Sequence, residues 1–72
     1  MVTVYSKPNC VQCTQTKKYL DKKGVEYTTI DITEDEQALN LILDKGFLAA
    51  PVVNDNDRWW AGFNPEKLDE IA

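Results

Sequence analysis

Val2-Thr3-Val4-Tyr5-Ser6-Lys7-Pro8-Asn9-Cys10-Val11-Gln12-Cys13 is the stretch from which the rest of the chain can be read. Val2 and Val4 alternate with Thr3 and Tyr5, the two-residue period of a β-strand. Pro8 lacks the N–H that a ladder needs, so the strand ends before it. Val11 to Lys23 is rich in good helix formers. The first cysteine therefore stands where a strand gives way to a helix. A thiol at a helix N-terminus meets unpaired backbone N–H groups and the positive end of the helix dipole. Both favour the thiolate, which is the nucleophilic form. Cys13 follows three residues later, about one helical turn away, so both sulfurs share a face and a disulfide can close between them. The spacing points to dithiol–disulfide exchange, with Cys10 as the attacking thiol and Cys13 as the resolving one.

Other uses of the pair weigh less. Cys10 and Cys13 are the only cysteines, and the chain has no histidine. Structural zinc takes four such ligands, so a site within one chain is excluded and only one shared between two copies is left open. No metal ligand is assigned. A structural disulfide over so small a loop would gain little chain entropy. Two buried, inert thiols fit poorly with the start of a helix.

Seventy-two residues make one domain, residues 1–72, small enough that burial of its apolar groups is marginal by size. Net charge is −4, which argues against a nucleic-acid-binding module. No apolar run approaches the ~20 residues that span a bilayer, so no membrane association is expected. A strand-like segment follows Met1 at once, with no secretory leader visible. A reducing cytoplasm is the expected location, where a C-x-x-C is catalytic more often than structural.

Onward from the first helix, Cys13, the stem of Lys17 and Leu20 are expected on its inner face, with Tyr19 beside them. Lys18 and Lys22 lie on the solvent side, and Gly24 is the expected C-cap. Glu26 to Ile32 reads as a second strand, from its β-branched and aromatic residues. Thr33 followed by Glu36 reads as a capping box that opens a second helix. Leu39, Ile42 and Leu43 form that helix's expected apolar face, and Lys45-Gly46 ends it. Phe47 to Val53 and Arg58 to Ala61 flank the turn-rich Asn54-Asp55-Asn56-Asp57 and predict a hairpin. Asn64 can cap a short last helix that has Pro65 at its first position and Leu68 and Ile71 as its inner face. The order is β-α-β-α-β-β-α, an α/β chain with a four-stranded mixed sheet flanked by three helices. Its C-x-x-C lies at the C-terminal end of the first strand, where α/β proteins place their sites.

This pattern resembles the minimal thioredoxin fold in its glutaredoxin-like form. More narrowly, it resembles the NrdH-redoxins, small glutaredoxin-like proteins that deliver electrons to ribonucleotide reductase. The resemblance rests on Val4-Tyr5-Ser6-Lys7-Pro8, on Cys10-Val11-Gln12-Cys13, on Ala50-Pro51-Val52-Val53, and on Trp60-Ala61-Gly62-Phe63 with Pro65. It implies that Pro51 is cis and faces the dithiol. It also implies electrons drawn from NADPH through a flavoprotein, thioredoxin reductase, with no cofactor bound by this chain itself. Implied site residues are Cys10 and Cys13 as the redox pair, and Lys7, Pro8, Val11, Gln12, Pro51, Trp60, Gly62 and Phe63 around them. Pro8, Val11, Pro51, Gly62 and Phe63 would form an apolar rim for a protein partner, with Trp60 fixing the adjacent loop. Lys7 would attract a carboxylate or favour the thiolate, or would simply be solvated. The chain is expected to act as a monomer. Two departures stand out: Ala61 where members often have serine, and Asn64 where many have arginine.

The strict glutaredoxin pattern places Pro-Tyr between the cysteines and an acidic pair at the last helix to hold glutathione. Here Val11-Gln12 and Asn64-Pro65-Glu66 stand at those places. The expectation is therefore coupling to thioredoxin reductase. A glutathione-coupled glutaredoxin is the runner-up, ahead of an iron–sulfur scaffold between two copies and a binding module with a vestigial dithiol.

Overall fold

The computed structural model describes residues 1–71. Its strands and helices follow in the order β1 (Val2–Ser6), α1 (Val11–Lys23), β2 (Tyr27–Asp31), α2 (Glu36–Asp44), β3 (Val52–Asp55), β4 (Arg58–Ala61) and α3 (Pro65–Asp69). The four strands form one mixed sheet in the order β2-β1-β3-β4. β1 runs parallel to β2, with Val4 opposite Thr29, and antiparallel to β3, with Val4 opposite Val53. The parallel step needs a crossover, which α1 supplies; the antiparallel β3–β4 step needs only a tight turn. This is the expected β-α-β-α-β-β-α arrangement.

The period of two sorts β1 onto two faces. Val2 and Val4 join Leu20 of α1, Leu68 of α3, Val53, Trp60 and Ile71 in one cluster. Tyr5 joins Ala38 and Ile42 of α2 and Val52 in the other. One face of the sheet is thus covered by α1 and α3, the other by α2. At about 25 cal/mol per Å² of apolar surface removed from water, each buried side chain of this size contributes roughly 1.5–3 kcal/mol. Among the described residues no helix is long and apolar enough to cross a membrane.

Several boundaries differ from the sequence reading. Asp35, not Thr33, is the N-cap of α2, and its carboxylate accepts the Ala38 N–H at 3.0 Å. Thr33 instead donates its N–H and hydroxyl to Asp31 Oδ1 at 2.8 and 2.6 Å, closing a turn at the end of β2. The aspartate two residues earlier competes for Thr33 more strongly than the helix does. Leu43 is 44% exposed and Ala38 is buried: Ala38 and Ile42, four residues apart, share the face turned to the sheet, and Leu43 lies about 100° round the helix from Ile42. The hairpin turn is only Asn56-Asp57, so Asn54 and Asp55 extend β3. Asn56 takes a left-handed φ of 55°, which asparagine tolerates and a two-residue turn requires. Phe47 to Ala50 lie outside the sheet. On α1, Thr16 is fully buried between Cys13 and Leu20, a place the sequence reading gave to the stem of Lys17.

Candidate active site

The dithiol is aimed by the turn before it. Pro8 and Asn9 turn the chain out of β1, and Asn9 adopts a left-handed φ of 58°. Cys10 is the N-cap of α1, with extended backbone (φ −113°, ψ 107°). Its Sγ accepts the backbone N–H of Cys13 at 3.1 Å. Sulfur here holds the position that serine or aspartate oxygen holds at other helix starts. A negative sulfur at that place is stabilised by the N–H and by the helix dipole, whereas a neutral thiol gains far less.

Cys10 and Cys13 are joined as a disulfide, with their Cα atoms 5.2 Å apart. They differ sharply in access. Cys10 is partly exposed, and Cys13 is 1% exposed. An incoming disulfide can therefore reach only the Cys10 sulfur.

Two loops close on the pair from the other side. The Ala50–Pro51 bond is cis, and the Ala50 carbonyl lies 3.9 Å from Cys10 Sγ. The Pro51 carbonyl accepts the Gly62 N–H at 2.8 Å. The next N–H, that of Phe63, donates to Gln12 Oε1 at 3.1 Å. The carboxamide inside the C-x-x-C thus ties the start of α1 to the loop after β4, and that loop is tied to Pro51. Sequence reasoning placed Gln12 at a partner surface and missed this bond; nothing in the sequence marks a side chain that pairs with a backbone group 51 residues away.

The remaining site residues fall into two groups. Lys7 and Pro8 are exposed, and Val11 is 74% exposed. Lys7, Pro8, Cys10, Val11, Thr14 and Lys17 line an open groove beside the sulfurs. Gly62 and Phe63 are half-buried, and Phe63 packs edge-on against Tyr19 with centroids 5.9 Å apart. Pro51 and Trp60 do not offer side chains to a rim. Pro51 is buried, and Trp60 is 5% exposed within the α1/α3 core. The Trp60 ring faces inward because β4 points alternate side chains to opposite faces; Trp59 goes the other way and stacks on Tyr5 at 5.8 Å. Leu48, 89% exposed in the segment leading to Pro51, was not singled out from the sequence. Loop exposure of a single leucine has no periodic signature.

The electrostatics of the flanking helix are local. The Tyr19 hydroxyl donates to Asp69 at the end of α3, where Lys23 Nζ also approaches at 3.4 Å. The hydroxyl holds the Asp69 carboxyl below its ordinary value, and Asp69 in turn pushes the Tyr19 hydroxyl up. Thr33 lowers Asp31 in the same way. Among the described residues no group of three or more His, Cys, Asp or Glu side chains is placed to hold a metal.

Comparison with known proteins agrees with this geometry. Residues 2–60 match the glutaredoxin family. The chain is 40% identical to the glutaredoxin-like protein NrdH of Lactococcus lactis subsp. cremoris over the full length of both. It is 31% identical to the NrdH protein of Salmonella typhimurium, over 97% of this chain and 86% of that one. Among solved structures, the NrdH-redoxin from Escherichia coli, described for its thioredoxin-like activity profile, superposes with a TM-score of 0.96 at 30% identity, covering 99% of this chain and 93% of that one. The buckwheat glutaredoxin–glutathione complex superposes with a TM-score of 0.77 at 25% identity, over 96% and 68%. A partly exposed, N-capping cysteine paired with a buried one, on this sheet and with these relatives, settles the assignment: the chain belongs to the glutaredoxin family of thiol–disulfide oxidoreductases, among its NrdH-type glutaredoxin-like members.

Proposed function

We propose that this protein carries electrons from NADPH, by way of a thioredoxin-reductase-type flavoprotein, to a disulfide of a protein partner, with ribonucleotide reductase as that partner. It works as a monomer in the cytoplasm and binds no cofactor of its own. The observation that carries the reading is the unequal pair: Cys10 Sγ is reachable and supported by the Cys13 N–H, while Cys13 is shielded.

In the reduced protein the Cys10 thiolate attacks one sulfur of the partner disulfide. The partner's S–S bond breaks, a mixed disulfide forms, and the expelled partner thiolate takes up a proton. Cys13 then gives up its proton and attacks Cys10 Sγ. The mixed bond breaks, the second partner thiol leaves, and Cys10–Cys13 is oxidised. The partner has gained two electrons and two protons. The dithiol of a reductase restores the pair by the same exchange, supplied by NADPH.

Support for a thioredoxin-type donor comes from two directions. The E. coli relative is described by its thioredoxin-like activity profile. In this chain the Gln12 carboxamide, inside the C-x-x-C, is engaged by the Phe63 N–H of its own fold and not turned out to a small thiol ligand. The test is NADPH consumption with a protein disulfide, comparing thioredoxin reductase with glutathione plus glutathione reductase. Turnover through thioredoxin reductase alone is expected; turnover through glutathione alone would overturn the donor assignment. Cys13→Ser should accumulate a mixed disulfide through Cys10, and full turnover by that variant on a protein disulfide would overturn the two cysteine roles.

A further inference from the structure

The charges of this chain are segregated along it. Through residue 23 there are five lysines, Lys7, Lys17, Lys18, Lys22 and Lys23, against the single carboxylate of Asp21. From residue 24 onward three basic side chains stand against eleven acidic ones. A net charge of −4 therefore conceals a positive third of the molecule, and that third carries both cysteines.

The fold sharpens this at the dithiol. Lys7 and Lys17 border the groove that leads to Cys10, with Val11 as its exposed apolar part. Among the described residues the ion pairs are Lys23–Asp69 and Arg58–Glu70, so neither groove lysine is neutralised by a partner in contact. Asp31 is the carboxylate that faces Lys17 from β2, and its Oδ1 is already engaged by the Thr33 N–H and hydroxyl. Asp21 on α1 takes the Tyr27 hydroxyl at 3.0 Å. The groove is thus open, positive, and contiguous with the one reachable sulfur.

We propose that this groove receives an acidic segment of the partner protein, with carboxylates that flank the partner's cysteine pair lying against Lys7 and Lys17 and an apolar neighbour resting on Val11. This rests on the reading of Cys10–Cys13 as a reductant of protein disulfides. Opposite charge at the point of contact raises encounter rates by roughly 10- to 1,000-fold at low salt. The predominantly acidic part of the chain from residue 24 onward disfavours the same segment, so attraction at the groove and repulsion there together bias the orientation of approach. A basic or neutral disulfide segment gains neither.

The test uses the full-length reduced protein in single-turnover reactions. Two synthetic peptides carry the same intramolecular disulfide, one flanked by glutamates and the other by lysines. At low salt the acidic peptide is expected to react about tenfold faster, the low end of the steering range. The gap should close at high salt, where screening cuts in within a few ångströms. In Lys7→Gln/Lys17→Gln most of the preference should be lost. Lys18→Gln/Lys22→Gln removes the same charge from the outer side of α1 and should retain it. Equal rates for the two peptides, a preference indifferent to salt, or equal losses in the two double variants would each overturn the proposal. If neither peptide is reduced while Cys10 still alkylates, the reductant reading itself fails, and the groove's role with it; that outcome is distinct because it does not depend on flanking charge.

Discussion

Gly62 stands at a φ of +81°, where side chains with a Cβ are strained. A Cβ built there would lie 3.3 Å from Gln12 Oε1, the tip of a side chain that can shift by a few tenths of an ångström. The backbone, not the space, is therefore the main obstacle. Gly62→Ala should cost about 1–2 kcal/mol, the left-handed penalty, read as a lower denaturation midpoint at unchanged slope. Gln12→Ala removes the acceptor of the Phe63 N–H but leaves that half-buried loop open to water, so its cost should be smaller. A Gly62→Ala variant as stable as the parent would mean that the loop can relax out of this conformation. The reading of Cys10 and Cys13 was legible at this scale because helix-start chemistry depends on immediate neighbours. The Gln12–Phe63 bond was not, because the partner is a backbone group brought near only by the fold.

Helix ends show where local rules compete. Thr33 and Glu36 match a capping box, yet Asp35 caps α2. Asp31, at the end of β2, captures both Thr33 donors first and moves the helix start on by two residues. Asp35→Ala should therefore destabilise by about 1 kcal/mol, the usual cost of a lost cap, while Glu36→Ala should cost only a few tenths through the helix dipole. Equal losses in thermal or chemical denaturation would restore the capping-box reading. The last helix offers a pH test. Asp69 is held below the ordinary carboxylate value of 3.8, chiefly by the Tyr19 hydroxyl, and Tyr19 is held above the ordinary tyrosine value of 10.0 by Asp69. A lowered carboxylate stabilises the fold above its unfolded value and loses that contribution as pH falls through its folded one. A raised tyrosine does so below its unfolded value and loses it as pH climbs through the folded one. The stability deficit of Tyr19→Phe should thus be full between 3.8 and 10.0 and should shrink on either side. A variant as stable as the parent across the whole pH range would show that Tyr19 acts by packing on Phe63 alone.

At the scale of the whole molecule, the two-sided sheet separates what holds the protein together from what does its chemistry. The order of elements was legible because hydrophobic period and turn residues announce each one, and a parallel β1–β2 step beside an antiparallel β3–β4 step leaves few ways to assemble four strands. Which residue of each helix faces inward was less so: Ala38 and Thr16 are buried although neither is strongly apolar, and the Thr16 hydroxyl is satisfied within its own helix by the Gln12 carbonyl. Leu20 on one face and Ile42 on the other are each almost fully buried. Truncating either to alanine should cost about 2–5 kcal/mol, transfer and cavity together. At roughly 0.05–0.15 kcal/mol per residue, a chain of this length has only about 4–11 kcal/mol in all, so both variants should melt far below the parent. Their thiols should nevertheless behave like the parent's wherever they remain folded. The first turn of α1 is anchored independently by buried Cys13 and Thr16, by Cys13 N–H on Cys10 Sγ, and by Gln12 on the Phe63 N–H. Alkylation of Cys10 in the reduced proteins, measured in the cold below both transitions, checks this directly. A parental rate in Ile42→Ala with an altered one in Leu20→Ala would show instead that the site-bearing face transmits packing along α1 to the sulfur, and that stability and reactivity are coupled through that helix.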